Sequence, residues 1–137
     1  MFFTKTDNLY NIARITGAQD NILGIEFMTD DDSNNKIEVI EWEFPHTYKR
    51  KMKTPREEVL KQVLEGLKIM NRRLGTKYKF SRIYFVPSDL PYNEIYASLT
   101  IFLIKRYHKG DKFKNVTMSA KIVESEIFTI NYKNYIS

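Results

Sequence analysis

The sequence predicts a single α+β domain over residues 1–137, in which two helices pack on one face of a mainly antiparallel sheet. Three observations predict this fold class. Apolar and polar residues alternate in the first third of the chain, as they do in half-buried strands. Two later segments carry apolar residues at the three- and four-residue spacing of a helix, and a further strand pattern follows each of them. With 137 residues, 42% of them hydrophobic, the chain is long enough to form one core.

The first third of the chain is predicted to form an antiparallel meander. Residues 9–16 give a first strand, and the alternation over residues 23–27 gives a second. Residues 37–44 place Ile40, Trp42 and Phe44 on one face of a third strand and Glu41 and Glu43 on the other. The intervening residues 29–35 are rich in Asp and Asn, which favour turns. We therefore expect the second and third strands to form a hairpin.

The first helix is predicted to begin near Thr54. Thr54 and Glu57 have the spacing of a capping box, and Pro55 suits the first helical position because it needs no amide hydrogen. Apolar residues then recur at helical spacing as far as Leu74, so one side of the helix is expected to face the core. Gly75 favours a left-handed cap at the end.

A strand over residues 80–86 and a second helix are predicted next. The helix is expected to be capped by Ser88 or Asp89 and to end at Gly110. Its apolar residues lie on more than one side, with Phe102 on the main apolar stripe and Ile101 off it, which predicts burial on more than one side. The tail, residues 116–136, is expected to supply one or two further strands.

Composition excludes several classes of protein. Because the chain has no cysteine, it has no disulfide, no thiolate metal site and no cysteine nucleophile. No apolar run reaches the roughly 18 residues that indicate a membrane helix. The first residues lack the basic region and cleavage site of a signal peptide. We therefore expect a cytoplasmic protein with no membrane partner.

Common catalytic and cofactor motifs are missing from the sequence. It contains no Gly-rich phosphate loop, no Gly-x-Ser-x-Gly turn and no His-Glu-x-x-His pair. The five glycines fall mostly at predicted turns and helix ends. We therefore expect no cofactor and no bound metal, and a binding protein is favoured over an enzyme.

The net charge of +5 conceals a strong asymmetry along the chain. Residues 1–44 carry a net −6, residues 45–115 a net +11, and the remaining residues are neutral. Such asymmetry points to charged partners. The acidic side chains of the predicted hairpin are the candidate partner-binding residues. They are Glu26, Asp30, Asp31, Asp32, Glu41 and Glu43.

A metal-dependent nuclease would need carboxylates like these to converge on one ion. No Glu-x-Lys pair follows them, and three adjacent aspartates in a loop point in different directions. A solvated hairpin tip and sheet face is therefore the favoured interpretation of the acidic residues.

Two basic stretches, residues 46–56 and 68–82, are candidate surfaces for nucleic acid or another anion. Their candidate residues are Lys49, Arg50, Lys51, Lys53, Arg72, Arg73, Lys77 and Lys79. The first stretch leads into the first helix and the second leaves it, so a helix length of about 30 Å is expected to separate them. A third basic group lies at residues 105–114. Basic residues at a helix C-terminus also stabilise the helix dipole, which is a purely structural role.

A catalytic alternative rests on the two histidines. His46 and His108, with Lys49, have the chemistry that acid–base cleavage of RNA requires. Nothing in the sequence brings the two histidines together, and each falls at the end of a predicted element. The catalytic pair is therefore kept as the alternative hypothesis.

The chain resembles small bacterial immunity proteins of toxin–immunity systems, including those paired with contact-dependent growth-inhibition toxins. The resemblance covers the whole chain in size, compactness, cytosolic character and lack of catalytic motifs. No motif residue carries it, so no functional residue is transferred. It implies a tight protein partner, often a nuclease toxin, which the immunity protein neutralises by covering a charged surface. The net positive charge departs from the acidic character of many nuclease inhibitors.

Overall fold

A computed structural model describes residues 1–15, 20–28, 36–43, 55–86, 94–117, 121–122 and 128–131 of the chain. Over these residues the protein is an α+β domain, as the sequence predicts. In chain order the elements are β1 (Phe2–Thr6), β2 (Leu9–Ile15), β3 (Asp20–Phe27), β4 (Lys36–Glu43), α1 (Arg56–Leu74), β5 (Phe80–Phe85), α2 (Ile95–Lys109), β6 (Lys114–Asn115), β7 (Lys121–Ile122) and β8 (Phe128–Asn131).

The strands form one mainly antiparallel sheet. Its order is β6-β1-β2-β3-β5-β4, and both β7 and β8 pair antiparallel with the outer edge of β4. Within the part of the chain that the structure describes, β6 with β1 and β5 with β4 are the parallel pairs. The tail therefore contributes strand segments, as predicted, and the structure places them at the β4 edge of the sheet.

The predicted hairpin between β3 and β4 is wrong, because β5 lies between these two strands. Glu26 of β3 is in register with Arg82 of β5, which is in turn in register with Glu38 of β4. The chain leaves β4, forms α1 and returns as β5 parallel to β4, which is the connection that a parallel pair requires. Alternation along a strand predicts its two faces and carries no information about its neighbour.

The central position of β5 follows from its apolar side chains on both faces. Ile83 and Phe85 face the helices, whereas Tyr84 and Val86 pack on the opposite side of the sheet. A strand with both faces apolar is typical of the middle of a sheet that is covered on both sides. β5 accordingly separates the two strands that the sequence pattern had paired.

The main core lies between the sheet and the two helices. It is formed by apolar side chains of β2, β3, β4, β5, α1 and α2, with Tyr96, Phe80 and Phe85 among the largest fully buried ones. A second, smaller cluster on the opposite face contains Ile40, Trp42, Tyr84 and Val86. Gly24 makes room for it, since a Cβ at that position would lie 2.7 Å from the Trp42 ring.

The two helices end as predicted, at Gly75 and Gly110, both in the left-handed conformation. Their starts differ from the prediction. α1 begins at Arg56 with Pro55 as its N-cap, and Thr54 of the predicted capping box lies outside the described residues. α2 begins at Ile95 with Glu94 as its N-cap, later than a cap at residues 88–89 would place it.

A side chain of α1 supplies the missing cap of α2. Glu94 makes no side-chain capping hydrogen bond. The Oε1 atom of buried Gln62 instead accepts a hydrogen bond of 3.0 Å from the backbone N–H of Tyr96, and Gln62 Nε2 donates to Glu58 at 2.9 Å. One of the amide groups that every helix start leaves without an intrahelical partner is thereby satisfied from the neighbouring helix.

The helices are in close contact one turn further along α1, at Gly66. A Cβ there would lie 2.7 Å from the carbonyl oxygen of Ala97 and 2.9 Å from Cβ of Thr100. The Thr100 hydroxyl is turned back onto its own helix, where it donates to the Tyr96 carbonyl at 2.7 Å. Small residues on both helices therefore fix where α1 and α2 touch.

The variant Gly66→Ala is expected to lower the free energy of unfolding by about 1–2 kcal/mol. Overpacking a close contact costs about 1–3 kcal/mol, and the better helix propensity of alanine returns at most about 1 kcal/mol. Urea unfolding followed by circular dichroism measures the difference. Lys68→Ala, an exposed change on the same helix, is the control and should alter stability by less than about 0.5 kcal/mol. A Gly66→Ala protein as stable as the parent would contradict the close approach.

Candidate functional site

The acidic residues predicted to bind a partner do not form one acidic surface over the described residues. Glu26 is half-buried, and its Oε2 atom lies 3.6 Å from Nη1 of Arg82. Nε of the same arginine lies 3.4 Å from Oε2 of Glu38. Glu41, expected on a solvated face, is 4% exposed, because its face of β4 also carries Ile37 and packs toward the helices.

The other predicted acidic residues lie outside the description. Asp30, Asp31 and Asp32 are not among the described residues, and of Glu43 the structure describes the backbone within β4. Their role toward a partner stays a prediction. The same holds for His46, Lys49, Arg50, Lys51 and Lys53, which also lie outside the described residues.

The second basic stretch lies at the C-terminal end of α1 and in the turn that follows. Arg72, Arg73, Lys77 and Lys79 are all exposed. His108 is exposed at the end of α2, as its predicted position at the end of an element requires. The catalytic pairing of His46 with His108 stays a prediction, because the first of these lies outside the described residues.

A groove of about 530 Å³ lies between the C-terminal halves of the two helices. Its floor is apolar, with Met70 and Leu74 from α1 and Ile101 and Phe102 from α2. Its rim is basic and consists of Arg73, Lys105, His108 and Lys109. We call these eight residues the cationic groove.

The sequence builds the cationic groove by helical spacing. Residues three and four positions apart share one side of a helix, so Met70, Arg73 and Leu74 line one wall. Ile101, Phe102, Lys105, His108 and Lys109 line the other wall for the same reason. The groove begins one turn beyond the close contact at Gly66, where the facing residues change from small to large.

The burial of two of these residues differs from what the helical pattern predicts. Phe102, placed on the buried stripe from the sequence, is 43% exposed. Ile101, placed off that stripe, is half-buried against the main core. The pattern identifies both as apolar, but which of two adjacent apolar residues faces the core depends on where α1 lies.

The electrostatic potential of the groove is set by basic side chains. No acidic residue occurs in residues 68–82 or 95–110. Both helices end here, and each C-terminus contributes the equivalent of about −0.5 charge. Arg72, Arg73, Lys105 and Lys109 together outweigh that contribution. Over the described part of the chain, no carboxylate is recorded within ion-pair distance of these four side chains.

A hydrogen-bonded turn joins one wall of the groove to the other. The Tyr78 hydroxyl and Nδ1 of His108 are 2.8 Å apart, so the segment after α1 is attached to the end of α2. Asn71 holds that segment in place. Its Oδ1 accepts from the Tyr78 N–H at 3.0 Å and from the Thr76 hydroxyl at 2.9 Å, and its Nδ2 donates to the Tyr78 carbonyl at 3.0 Å.

Aromatic rings of β3 and α2 pack against Tyr78 of the same turn. Phe27 stacks on Tyr107 with a centroid separation of 3.9 Å, and Tyr78 meets both rings edge-on. Burial, together with the neighbouring hydroxyls of Tyr10 and Tyr78, raises the pKa of Tyr107. Tyr107 therefore stays neutral at ordinary pH and adds no negative charge next to the basic rim.

The described residues show no group of histidine and carboxylate side chains that could hold a metal ion. Neither of the two helices is long and apolar enough to cross a membrane. The cationic groove offers an apolar floor and several exposed cations on two packed helices, which are features of a binding surface.

Comparison of the chain with protein-family models, with curated proteins and with solved structures gave no match. What the cationic groove does is therefore inferred from its own chemistry.

The variant Asn71→Ala is expected to lower the free energy of unfolding by about 1–3 kcal/mol, because the turn loses three hydrogen bonds and part-buried backbone groups lose their partners. Chemical unfolding measures this loss. Asn115→Ala, at an exposed position of β6, is the matched control and should be close to neutral. Equal stability of the Asn71→Ala variant and the parent would show that the turn does not depend on this side chain.

Proposed function

We propose that the protein is a non-catalytic binding protein that holds a partner protein in the cationic groove. The observation that carries the proposal is the apolar floor, in which Phe102 is 43% exposed, enclosed by basic side chains on two helices. The central parts of protein interfaces are enriched in aromatic residues, Met and Arg and depleted in Lys and acidic residues. The floor supplies the exposed ring of Phe102, and Arg73 lines the same groove.

Nucleic-acid binding, the alternative, would use the same cations. Protein–DNA interfaces are more polar than protein–protein interfaces and depend mainly on contacts to phosphates. An apolar floor with an exposed phenylalanine adds little to phosphate contacts, whereas it is what a protein partner buries. The floor therefore favours a protein partner.

The partner that fits the resemblance to immunity proteins is a toxin domain. An immunity protein neutralises its toxin by covering a surface, so it needs complementary shape and charge and no reacting group. Charge complementarity accelerates association and suppresses wrong partners more than it adds affinity. The partner surface is then acidic and apolar, rather than the basic cleft that the predicted acidic hairpin would have matched. A cytoplasmic location and the absence of cysteine suit this role.

Co-expression with the proteins encoded beside its own gene tests the proposal. One of them is expected to be toxic alone, to be tolerated in the presence of this protein, and to co-elute with it in size-exclusion chromatography. The double variant Arg73→Glu/Lys109→Glu should lose both protection and co-elution, because it reverses charge on both walls of the groove. Lys61→Glu/Lys68→Glu, at exposed positions of α1 outside the groove, makes the same charge change and should retain both.

Two results would overturn the proposal. One is the absence of any protected toxicity or complex with every neighbouring gene product. The other is binding of single-stranded RNA at physiological salt that the groove variant abolishes and whose affinity falls steeply with salt, as phosphate contacts require. Cleavage of that RNA, lost in His108→Ala, would establish the catalytic alternative.

A further inference from the structure

We infer that the cationic groove binds an amphipathic α-helix with acidic flanks, contributed by the partner protein. The inference rests on the proposed binding function and specifies the part of the partner that enters the groove. It follows from the composition of the walls, the length of the floor and the positions of the charges.

The walls of the groove select the conformation of the occupant. Both walls are helices, so their backbone N–H and C=O groups already bond within α1 and α2. An extended peptide binds by adding its backbone hydrogen bonds to a sheet edge, and this groove presents no such edge. A helix satisfies its own backbone and needs apolar side chains alone to fill the floor. The helical occupant is therefore favoured.

The length of the floor sets the length of the helix. Along α2 the lining runs from Ile101 to Lys109, a rise of about 12 Å at 1.5 Å per residue. That distance corresponds to roughly two turns of a bound helix, with apolar anchors at three- and four-residue spacing. The two or three anchors would lie over Leu74, Ile101 and Phe102, the floor residues that are not fully buried.

The charges determine the flanks of the bound helix. Arg73 lies on one wall, and Lys105 and Lys109 lie one turn apart on the other. Acidic residues on both sides of the apolar anchors would meet these cations. Exposed ion pairs contribute only about 0–1 kcal/mol each, so the apolar floor supplies most of the affinity and the basic rim supplies the selectivity.

A second copy of this chain is a poor occupant of the groove. A symmetric contact would bring the basic rim of one copy, with Arg73, Lys105 and Lys109, against the basic rim of the other. Like charges that meet across an interface cost several kcal/mol. The groove faces of α1 and α2 in a second copy are therefore not complementary to the groove, because both are basic. A partner of opposite charge does.

A designed peptide tests the inference directly. The probe is a dye-labelled helix of about 14 residues, roughly four turns, with leucines at helical spacing on one face and glutamates on both sides of that face. One control peptide has lysine in place of every glutamate, and a second has the same composition in an order that removes the apolar face. Fluorescence anisotropy measures binding, and circular dichroism measures the helix content of the unlabelled peptide.

The acidic peptide is expected to bind and to gain helix content, whereas both control peptides should bind at least about tenfold more weakly. Phe102→Asp, a change at an exposed position, and Arg73→Glu/Lys109→Glu should each weaken binding by at least about tenfold, equivalent to about 1.4 kcal/mol. Lys61→Glu/Lys68→Glu should stay within about twofold of the parent, since these residues lie outside the groove.

The inference is overturned if the lysine peptide binds as well as the acidic one, if binding brings no helix, or if the groove variants bind like the parent. Tighter binding of a single-stranded RNA of the same charge, or a concentration-dependent dimer lost in Phe102→Asp, would also overturn it. A toxin complex that depends on the groove while the peptide fails would leave the binding function standing and remove the helical occupant. Peptide binding without any partner among the neighbouring gene products would support the helical occupant and remove the proposed partner.

Discussion

The packing of α1 against α2 is the contact on which the rest of the structure depends. Gly66 lets the backbones approach, because a side chain there would collide with the Ala97 carbonyl. Four residues earlier, Gln62 accepts a hydrogen bond from the backbone N–H of Tyr96 at the buried start of α2. One steric and one polar constraint thus fix both the position and the register of α2. The position of α2 in turn determines where its wall of the cationic groove lies.

The order of the strands has a comparable consequence for charge. Because β5 is inserted between β3 and β4, Arg82 comes to lie between Glu26 and Glu38 and within ion-pair distance of both. An exposed arrangement of this kind contributes little to stability. Its effect on the surface charge is larger, since it places a cation within what would otherwise be an acidic face. Pairing β3 directly with β4 would have left these carboxylates side by side.

Local features of the fold were predictable from the sequence, and the features that depend on tertiary contacts were not. The end of α1 at Gly75 and the apolar faces of β4 follow from conformational preference and periodicity. β1 is absent from the predicted strands, although Asp7 and Asn8 are turn residues that point to a strand before them. Asp7 adopts a φ of 53° between β1 and β2. No local pattern, however, predicts that β5 separates β3 from β4. Gln62 caps α2 by pairing with Tyr96, and Asn71 holds the turn by pairing with Tyr78. Neither pairing has a sequence pattern that predicts it.

The same limit applies to the groove, because the charge along the chain does not show that the basic ends of α1 and α2 lie on one surface. Separate basic stretches, ending α1 and α2, looked like independent helix C-termini with a structural role toward the dipoles. Folding brings both ends together, so Arg73 and Lys105 line one groove. The two helix C-termini each contribute about −0.5 charge. The basic side chains at this end of the domain carry more positive charge than that. The excess positive charge surrounds an apolar floor that includes the exposed ring of Phe102, and a partner that is both acidic and apolar satisfies the two together.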